Sequence, residues 1–274
     1  MPKEGEIMNI PVESWYGAIA VRRSRRKYKS EPIDSKKIER LEEVCRMFRP
    51  FPDTRAVLVK EPSEDVFKGF IGAYGKVDNA PCYIAFIADM RSPRVQPCTG
   101  YTGEAVILEA TTLGLATCWI GGFFRPDLVH AHLGLLETER VLSVTPVGIA
   151  SEDWSFQEKL LTAFGANHKR KSLDELVSGE ITHEWQRTAL ESARLAPSAV
   201  NRQPWRFKVE DSSISVEMDN LKDNYKVSKR LDCGIAMLHL EIGARKAGVK
   251  GEWIFPVQKT EDDIEPGHIA RFVV

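Results

Sequence analysis

The stretch "APSAVNRQPWRF" (Ala196–Phe207) separates a sequence typical of a helix from one typical of a strand. Its two prolines fix the backbone and remove two hydrogen-bond donors, which predicts a loop. A rigid helix-to-strand connector is one interpretation. Because a connector does not explain why Ser198, Asn201 and Gln203 occur together, we favour a loop that presents polar side chains to a ligand.

The composition excludes several classes of partner. The 274 residues are 43% apolar, enough for one large domain or two of ordinary size with a packed core. Lys and Arg number 38 against 39 Asp and Glu, so neither nucleic acid nor a membrane surface is an expected partner. The five cysteines are scattered without C-x-x-C spacing, which indicates free thiols. The chain shows no signal-peptide pattern and no apolar run of membrane-spanning length, and we predict a cytoplasmic protein.

Helix and strand patterns alternate along the chain. A helix is predicted in "DSKKIERLEEVCRMF" (34–48), with Asp34 and Ser35 as competing caps. Four runs are typical of strands, and the second is apolar enough to be covered on both faces: "RAVLVK" (55–60), "CYIAFIAD" (82–89), "RVLSVTPVGIA" (140–150) and "WRFKVE" (205–210). This alternation predicts an α/β or α+β fold around a buried sheet.

The chain also resembles itself. "TGYTGEAVILEATTLGLATCW" (99–119) aligns without a gap with "CGIAMLHLEIGARKAGVKGEW" (233–253), and each predicts a long apolar helix, a glycine that ends it, and a tryptophan. The identical pairs are Gly100 and Gly234, Ala110 and Ala244, Gly114 and Gly248, and Trp119 and Trp253. A weaker similarity joins residues 40–60 to 187–210. Chance likeness between apolar helices is the alternative. We predict two similar halves, residues 1–172 and 173–274, with the changeover near residues 165–182.

Two basic runs favour an anion. "VRRSRRKYK" (21–29) carries six basic residues in the eight from Arg22 to Lys29, and "HKRKSLDELV" (168–177) lies near the predicted changeover. Solvated surface is the ordinary explanation for such runs. A serine hydroxyl between guanidinium groups nevertheless suits a single phosphate group, and the scarcity of interleaved aromatic residues argues against nucleic acid.

Four segments carry a resemblance to a known family: "RRSRRKY" (22–28), "GLATCWIGGF" (114–123), "NHKRKSLDELV" (167–177) and "APSAVNRQPWRF" (196–207). Together they resemble the FMN-dependent nitroreductases, an α+β fold in which a homodimer builds its flavin sites between subunits. In ordinary members the arginine segment and the proline-serine-asparagine segment belong to one domain, whereas here they lie in opposite halves. The resemblance therefore implies an intramolecular pseudo-dimer, monomeric in solution, with one FMN per chain.

The resemblance also implies which residues hold the cofactor. The phosphate would be bound by Arg22, Ser24, Lys169 and Lys171, with Arg170 as a competing candidate. Arg23 and Arg26 would lie near the N1 and O2 edge of the flavin, where a cation raises the reduction potential. Pro197, Ser198 and Asn201 would cover one side of the ring. Ile120, Gly121 and Gly122 would pass close to N5 and O4, although a tight turn after Trp119 is an equal alternative. Phe123 and Phe124 are candidates for a substrate wall or for the core.

The activity implied is hydride transfer from NADH or NADPH through FMN to a small oxidised acceptor such as a nitroaromatic or a quinone. No catalytic side chain and no metal are expected, since FMN carries the chemistry and His130 and His132 face different sides of a helix. "GFIGAYG" (69–75) has the wrong spacing for a dinucleotide fingerprint. Two alternatives stay open: a non-catalytic FMN-binding or sensing protein, and a flavoenzyme that dehalogenates reductively or fragments flavin. The sequence assigns no role to Glu104 and Glu109.

Overall fold

The computed structural model describes residues 8–61, 64–67, 77–152, 169–222, 227–256 and 267–274. The "GFIGAYG" stretch and the first residues of the predicted changeover, 165–168, lie outside these ranges. Within them, eight α-helices and nine strands form. The helices are α1 (Val12–Val21), α2 (Ser35–Met47), α3 (Glu64–Phe67), α4 (Val95–Thr112), α5 (Pro126–Leu133), α6 (Leu173–Leu176), α7 (Glu184–Arg194) and α8 (Lys229–Lys246). The strands are β1 (Thr54–Val59), β2 (Cys82–Asp89), β3 (Ala116–Thr117), β4 (Glu139–Gly148), β5 (Val177–Ser178), β6 (Trp205–Glu210), β7 (Ser213–Met218), β8 (Glu252–Ile254) and β9 (His268–Val273).

The strands form two sheets of the same design. The first has the order β1-β2-β4-β3 and the second has the order β5-β6-β7-β9-β8. Neighbours are antiparallel throughout, except that β5 runs parallel to β6 at the edge of the second sheet. Apart from β5, the two sheets therefore share one strand order and one pattern of directions. The predicted α+β class is confirmed, and β2 is buried at every position except Asp89, as its apolar run indicates.

Helices α4 and α8 pack against each other between the sheets, and their glycines explain how closely they approach. A Cβ atom on Gly100 would lie 2.0 Å from the carbonyl oxygen of Leu231 in α8. A Cβ atom on Gly234 would lie 1.9 Å from the carbonyl oxygen of Pro97 in α4. The aligned glycines thus make reciprocal contacts with the backbone of the other helix. The glycines that follow the two helices, Gly114 and Gly248, have φ angles of 72° and 83°, as predicted for left-handed helix ends.

Helix α2 begins where the sequence predicts. The side chain of Asp34 accepts a hydrogen bond from the backbone N–H of Lys36 at 2.9 Å, so Asp34 rather than Ser35 is the cap. Leu41, Val44 and Cys45 are its buried residues. Within the described part of the chain, no helix is both long and apolar enough to cross a membrane.

Removal of this cap tests the choice between the two candidates. We expect Asp34→Ala to lower the free energy of unfolding by about 1 kcal/mol, because it leaves a backbone N–H in the first turn without its acceptor. Ser35→Ala is the matched control and should change stability by less than about 0.5 kcal/mol. Urea unfolding followed by circular dichroism measures both. An equal loss in the two variants would show that Asp34 does not act as the cap.

Candidate functional site

A cleft opens between segments near residues 24, 120 and 143 and segments near residues 198 and 231. It is lined by residues from the segment after α1, from the segment after β3, from the loop between α7 and β6, and from the start of α8. Seven of the residues that the sequence predicts to bind the cofactor line it: Ser24, Arg26, Ile120, Gly121, Gly122, Pro197 and Ser198. Segments far apart in the sequence therefore meet at one site.

The segment after β3 is held rigidly at the wall of the cleft. The backbone of Ile120 exchanges two hydrogen bonds with Val144, at 2.9 and 2.8 Å. Gly121 then approaches Val227 from the second half, since a Cβ atom on Gly121 would lie 3.0 Å from a Val227 methyl group. The next residue but one, Phe123, lines the cleft with 43% of its surface exposed. Phe124 packs into a small apolar cluster instead.

The loop between α7 and β6 has an unusual backbone. Val200, Asn201 and Gln203 have φ angles of 48°, 56° and 48°, in the left-handed region that side chains other than glycine seldom adopt. For a β-branched residue such as Val200 this conformation is strained and needs support from its surroundings. Part of the support is internal, because the Ser198 hydroxyl oxygen accepts a hydrogen bond from the Gln203 N–H at 2.9 Å.

Asp232 supports the same loop from the first turn of α8. One carboxylate oxygen accepts from the backbone N–H of Ala199 at 3.1 Å, and the other accepts from Nε of Arg202 at 2.7 Å. Asp232 is 2% exposed and lines the cleft, so an acidic group lies at its floor. The sequence prediction missed this residue. Its only signal is an acidic side chain in the first turn of a long helix, which is common for helices of any function.

The polar side chains of the loop bind the second basic segment. Asn201 accepts a hydrogen bond from Arg170 at 2.5 Å and donates one to the carbonyl oxygen of Lys169 at 3.0 Å. Gln203 accepts from the backbone N–H of Lys171 at 2.8 Å and also donates to Lys169. The Nζ of Lys171 binds backbone carbonyls of the loop, at 3.4 Å for Arg202 and 3.2 Å for Gln203. Asn201, Lys169 and Lys171 are therefore brought together beside the cleft, and none of them lines it.

The remaining predicted residues, Arg22 and Arg23, also lie beside the cleft rather than in its lining. Arg22 is 7% exposed, and its Nε atom is 3.8 Å from a carboxylate oxygen of Glu104. Arg23 donates to the backbone carbonyls of Ala20 and Arg22. Burial, together with the positive charges of Arg22 and Arg23, lowers the pKa of Arg170 to about 10. The two basic runs thus converge into one group of cations, and such a group favours an anionic ligand.

The donor set fits a flavin mononucleotide. Arg22, Arg23 and Arg170 suit a phosphate, while Gly121 permits a flat ring to approach the backbone closely. A buried polar atom points to the same conclusion. Ser143 lies in β4, is 0% exposed and lines the cleft, yet its hydroxyl has no hydrogen-bond partner among the described residues. Strand periodicity alone could not reveal which face of β4 meets the cleft, so the sequence prediction missed Ser143 as well.

Comparison with known proteins agrees with this geometry. Residues 14–244 match the model of the family described as "Putative TM nitroreductase". The chain belongs to this nitroreductase family. The family resemblance stated from the sequence is therefore confirmed. A search of curated proteins finds no significant match.

A solved structure with a TM-score above 0.5 shows the nitroreductase fold over 99% of this chain. The structure of a protein described as a "putative nitroreductase" from Thermotoga maritima MSB8 aligns with 99% of this chain and 99% of its own, at 18% identity and a TM-score of 0.58. A protein from Clostridium difficile R20291 named FMN-dependent nitroreductase aligns with 50% of this chain and 88% of its own, at 20% identity and a TM-score of 0.43. A nitroreductase family protein from Clostridium difficile 630 aligns with 64% of this chain and 99% of its own, at 22% identity and a TM-score of 0.44.

Proposed function

We propose that this protein is an FMN-dependent oxidoreductase that takes hydride from NADH or NADPH and passes it to a small oxidised acceptor such as a nitroaromatic or a quinone. The observation that carries the proposal is the composition of the cleft. Ser24 and Arg26, the segment 120–122, and Pro197 with Ser198 meet in one cavity, and these are the segments through which the sequence resembles flavin-binding nitroreductases. Bound FMN would supply the hydride chemistry, and the protein would position it and tune its potential.

The described residues divide the binding task by their chemistry. Arg22, Arg23 and Arg170 provide guanidinium groups for the phosphate, and Ser24 adds a hydroxyl at the cleft. Arg26 places a further positive charge in the lining, suited to the electron-rich edge of a reduced flavin. Pro197 and Ser198 line the cavity from the loop between α7 and β6. Phe123 offers an exposed aromatic surface for the acceptor.

One FMN per chain is expected, because the counterpart of the cleft in the other half is filled. The alignment that places Trp119 opposite Trp253 also places Gly121 opposite Phe255 and Ile235 opposite Tyr101. Phe51, in the loop between α2 and β1, packs edge-to-face on both aromatic rings, with centroids 5.3 Å from Tyr101 and 5.7 Å from Phe255. The rings of Tyr101 and Phe255 thus take the positions that correspond to Ile235 and Gly121 at the cleft. The smaller residues leave space at the cleft, and the rings fill it in the counterpart.

The shared strand order of the sheets and the reciprocal glycines of α4 and α8 support a pseudo-dimer of residues 1–172 and 173–274. A monomer in solution follows from this proposal, since each half would act as the partner of the other. Sedimentation equilibrium would test the monomer. The cytoplasmic location stays a prediction that the five free, buried thiols are compatible with.

The experiment that tests the function is an anaerobic titration followed by visible absorption. Purified protein saturated with FMN and freed of excess should retain about one equivalent per chain, and NADH or NADPH should bleach the flavin bands. Addition of p-benzoquinone or nitrofurazone should then restore them. Retention of FMN without bleaching by either nucleotide would favour the non-catalytic FMN-binding alternative. Failure to retain FMN would refute the proposal.

A further inference from the structure

The carboxylate of Glu104 in α4 is fully buried where segments from both halves meet. One oxygen accepts a hydrogen bond from the indole N–H of Trp119 at 2.7 Å. The other lies 3.0 Å from Nε2 of His239 in α8 and 3.8 Å from Nε of Arg22. Glu104 and His239 are both 0% exposed. A single carboxylate therefore connects the arginine segment, the wall of the cleft and the opposite long helix.

The geometry fixes how many protons the pair of Glu104 and His239 holds. The Nδ1 atom of His239 lies 3.1 Å from the carbonyl oxygen of Ser192, and a carbonyl can only accept, so Nδ1 carries a hydrogen. The contact between Nε2 and the carboxylate then needs one further proton between them. The pair is either an imidazolium with a carboxylate or a neutral imidazole with a carboxylic acid. In both forms its net charge is zero and its polar atoms are satisfied, which avoids the cost of an unpaired buried charge.

Such a buried polar network is a weak source of net stability, because desolvation offsets most of the attraction between its members. The groups that Glu104 contacts are more informative than its contribution to stability. Arg22 stands at the start of the segment that supplies Ser24 and Arg26 to the cleft, and Trp119 itself lines the cleft. We propose that Glu104 is a positioning residue that fixes the ring of Trp119 so that the cleft can bind its cofactor. This inference rests on the proposed FMN site.

The slot around Trp119 explains why a single hydrogen bond can set the orientation of the ring. A Cβ atom on Gly103, one residue before Glu104, would lie only 2.4 Å from the far edge of the indole. On another side the ring of Phe86 lies with its centroid 4.6 Å from that of Trp119. These contacts with apolar atoms confine the ring but offer its N–H no acceptor. Glu104 supplies that acceptor and so holds the ring with its N–H toward α4.

Glu109 provides a matched control on the same helix. It is 5% exposed and accepts a hydrogen bond from the indole N–H of Trp15 at 2.7 Å, the same distance as in the Glu104 pair. Its second oxygen accepts from Arg40 at 2.6 Å. Neither Glu109 nor its two partners lines the cleft. Loss of Glu109 therefore reports the structural cost of losing a buried carboxylate and a tryptophan bond without disturbing the proposed site.

The first measurement needs no cofactor. In ¹⁵N-tryptophan-labelled protein, Glu104→Ala should shift the Trp119 indole resonance and speed its hydrogen exchange by about tenfold or more, while the Trp15 indole stays unchanged. Glu109→Ala should shift the Trp15 indole resonance and speed its hydrogen exchange, while the Trp119 indole stays unchanged. Glu104→Gln should preserve the Trp119 resonance, because an amide oxygen can accept from the indole and the amide N–H can donate to neutral His239. An unchanged Trp119 indole in Glu104→Ala would overturn the positioning role.

The second measurement is the FMN dissociation constant from flavin fluorescence. We expect about a tenfold increase in Glu104→Ala, and changes of less than about threefold in Glu104→Gln and Glu109→Ala. Trp119→Phe, which leaves Glu104 in place, should weaken binding as much as Glu104→Ala, and the double variant should be no weaker than either. If Glu104→Ala does not fold, Trp119→Phe still tests whether the orientation of the indole controls FMN binding.

The two readouts separate the possible failures. Equal weakening in Glu104→Ala and Glu109→Ala, or no rescue by Glu104→Gln, would overturn the inference. Wild-type protein that binds no FMN would refute the proposed function instead, while the indole resonances still decide whether Glu104 fixes Trp119.

Discussion

Replacing Gly234 by alanine is expected to lower the free energy of unfolding by about 3 kcal/mol. The new methyl group would lie 1.9 Å from the carbonyl oxygen of Pro97 and 2.6 Å from its carbonyl carbon. Both are backbone atoms of α4, so no side chain can rotate out of the way, and the two long helices must separate. Gly100→Ala meets the same obstacle from the other side, at 2.0 Å from the carbonyl oxygen of Leu231. Guanidinium unfolding of each variant measures the loss.

Gly17→Ala is the matched control for both glycines. Gly17 also lies within a helix, α1, but beyond its chain neighbours and the adjacent backbone of its own helix no heavy atom comes within 4 Å of the position its Cβ would take. Since alanine is the better helix former, this variant should be as stable as the wild type or more stable by up to about 1 kcal/mol. If Gly234→Ala and Gly17→Ala behave alike, the close crossing of α4 and α8 is wrong.

Replacing Arg170 by alanine is expected to weaken FMN binding about 10- to 100-fold while leaving riboflavin binding within about threefold. Riboflavin lacks only the phosphate, so the difference isolates the contribution of the cation group to phosphate binding. Burial and the neighbouring charges of Arg22 and Arg23 already depress the pKa of Arg170, and an anion among the three would relieve that repulsion. Fluorescence titrations with both ligands give the two dissociation constants.

Lys208 serves as the control for Arg170, and the other contacts of Arg170 define the outcome that would contradict the prediction. Lys208 on β6 is 58% exposed and outside the cleft lining, so Lys208→Ala should leave both dissociation constants within about threefold. Arg170 also binds Asn201 and the carbonyl oxygen of Leu195, so it has a structural task as well. Parallel weakening of FMN and riboflavin would mean that this structural task is its only one.

Local signals in the sequence predicted local structure well. The start of α2 at Asp34 or Ser35, the buried strand at 82–89 and the left-handed glycines at 114 and 248 each depend on neighbours within a few residues. The proline-serine loop was predicted as a ligand-facing segment, and Pro197 and Ser198 do line the cleft. Its other two polar residues behave differently. Asn201 and Gln203 bind the backbone and side chains of residues 169–171, a contact that no local pattern announces.

The sequence by itself indicated a fold of mixed helices and strands, the internal similarity and the family, because periodicity, capping and ungapped motifs are properties of the chain; the α+β class came with the family resemblance. Only the tertiary structure decided which charged and polar groups share an environment. Arg22 turns toward Glu104, Arg170 joins Arg22 and Arg23, and Asp232 and Ser143 reach the cleft from elements with ordinary sequences. The physical reason is that the free energy of a buried charge or hydroxyl depends on the partners that folding brings close to it. These partners are far apart along the chain, so no local sequence pattern predicts that they will meet.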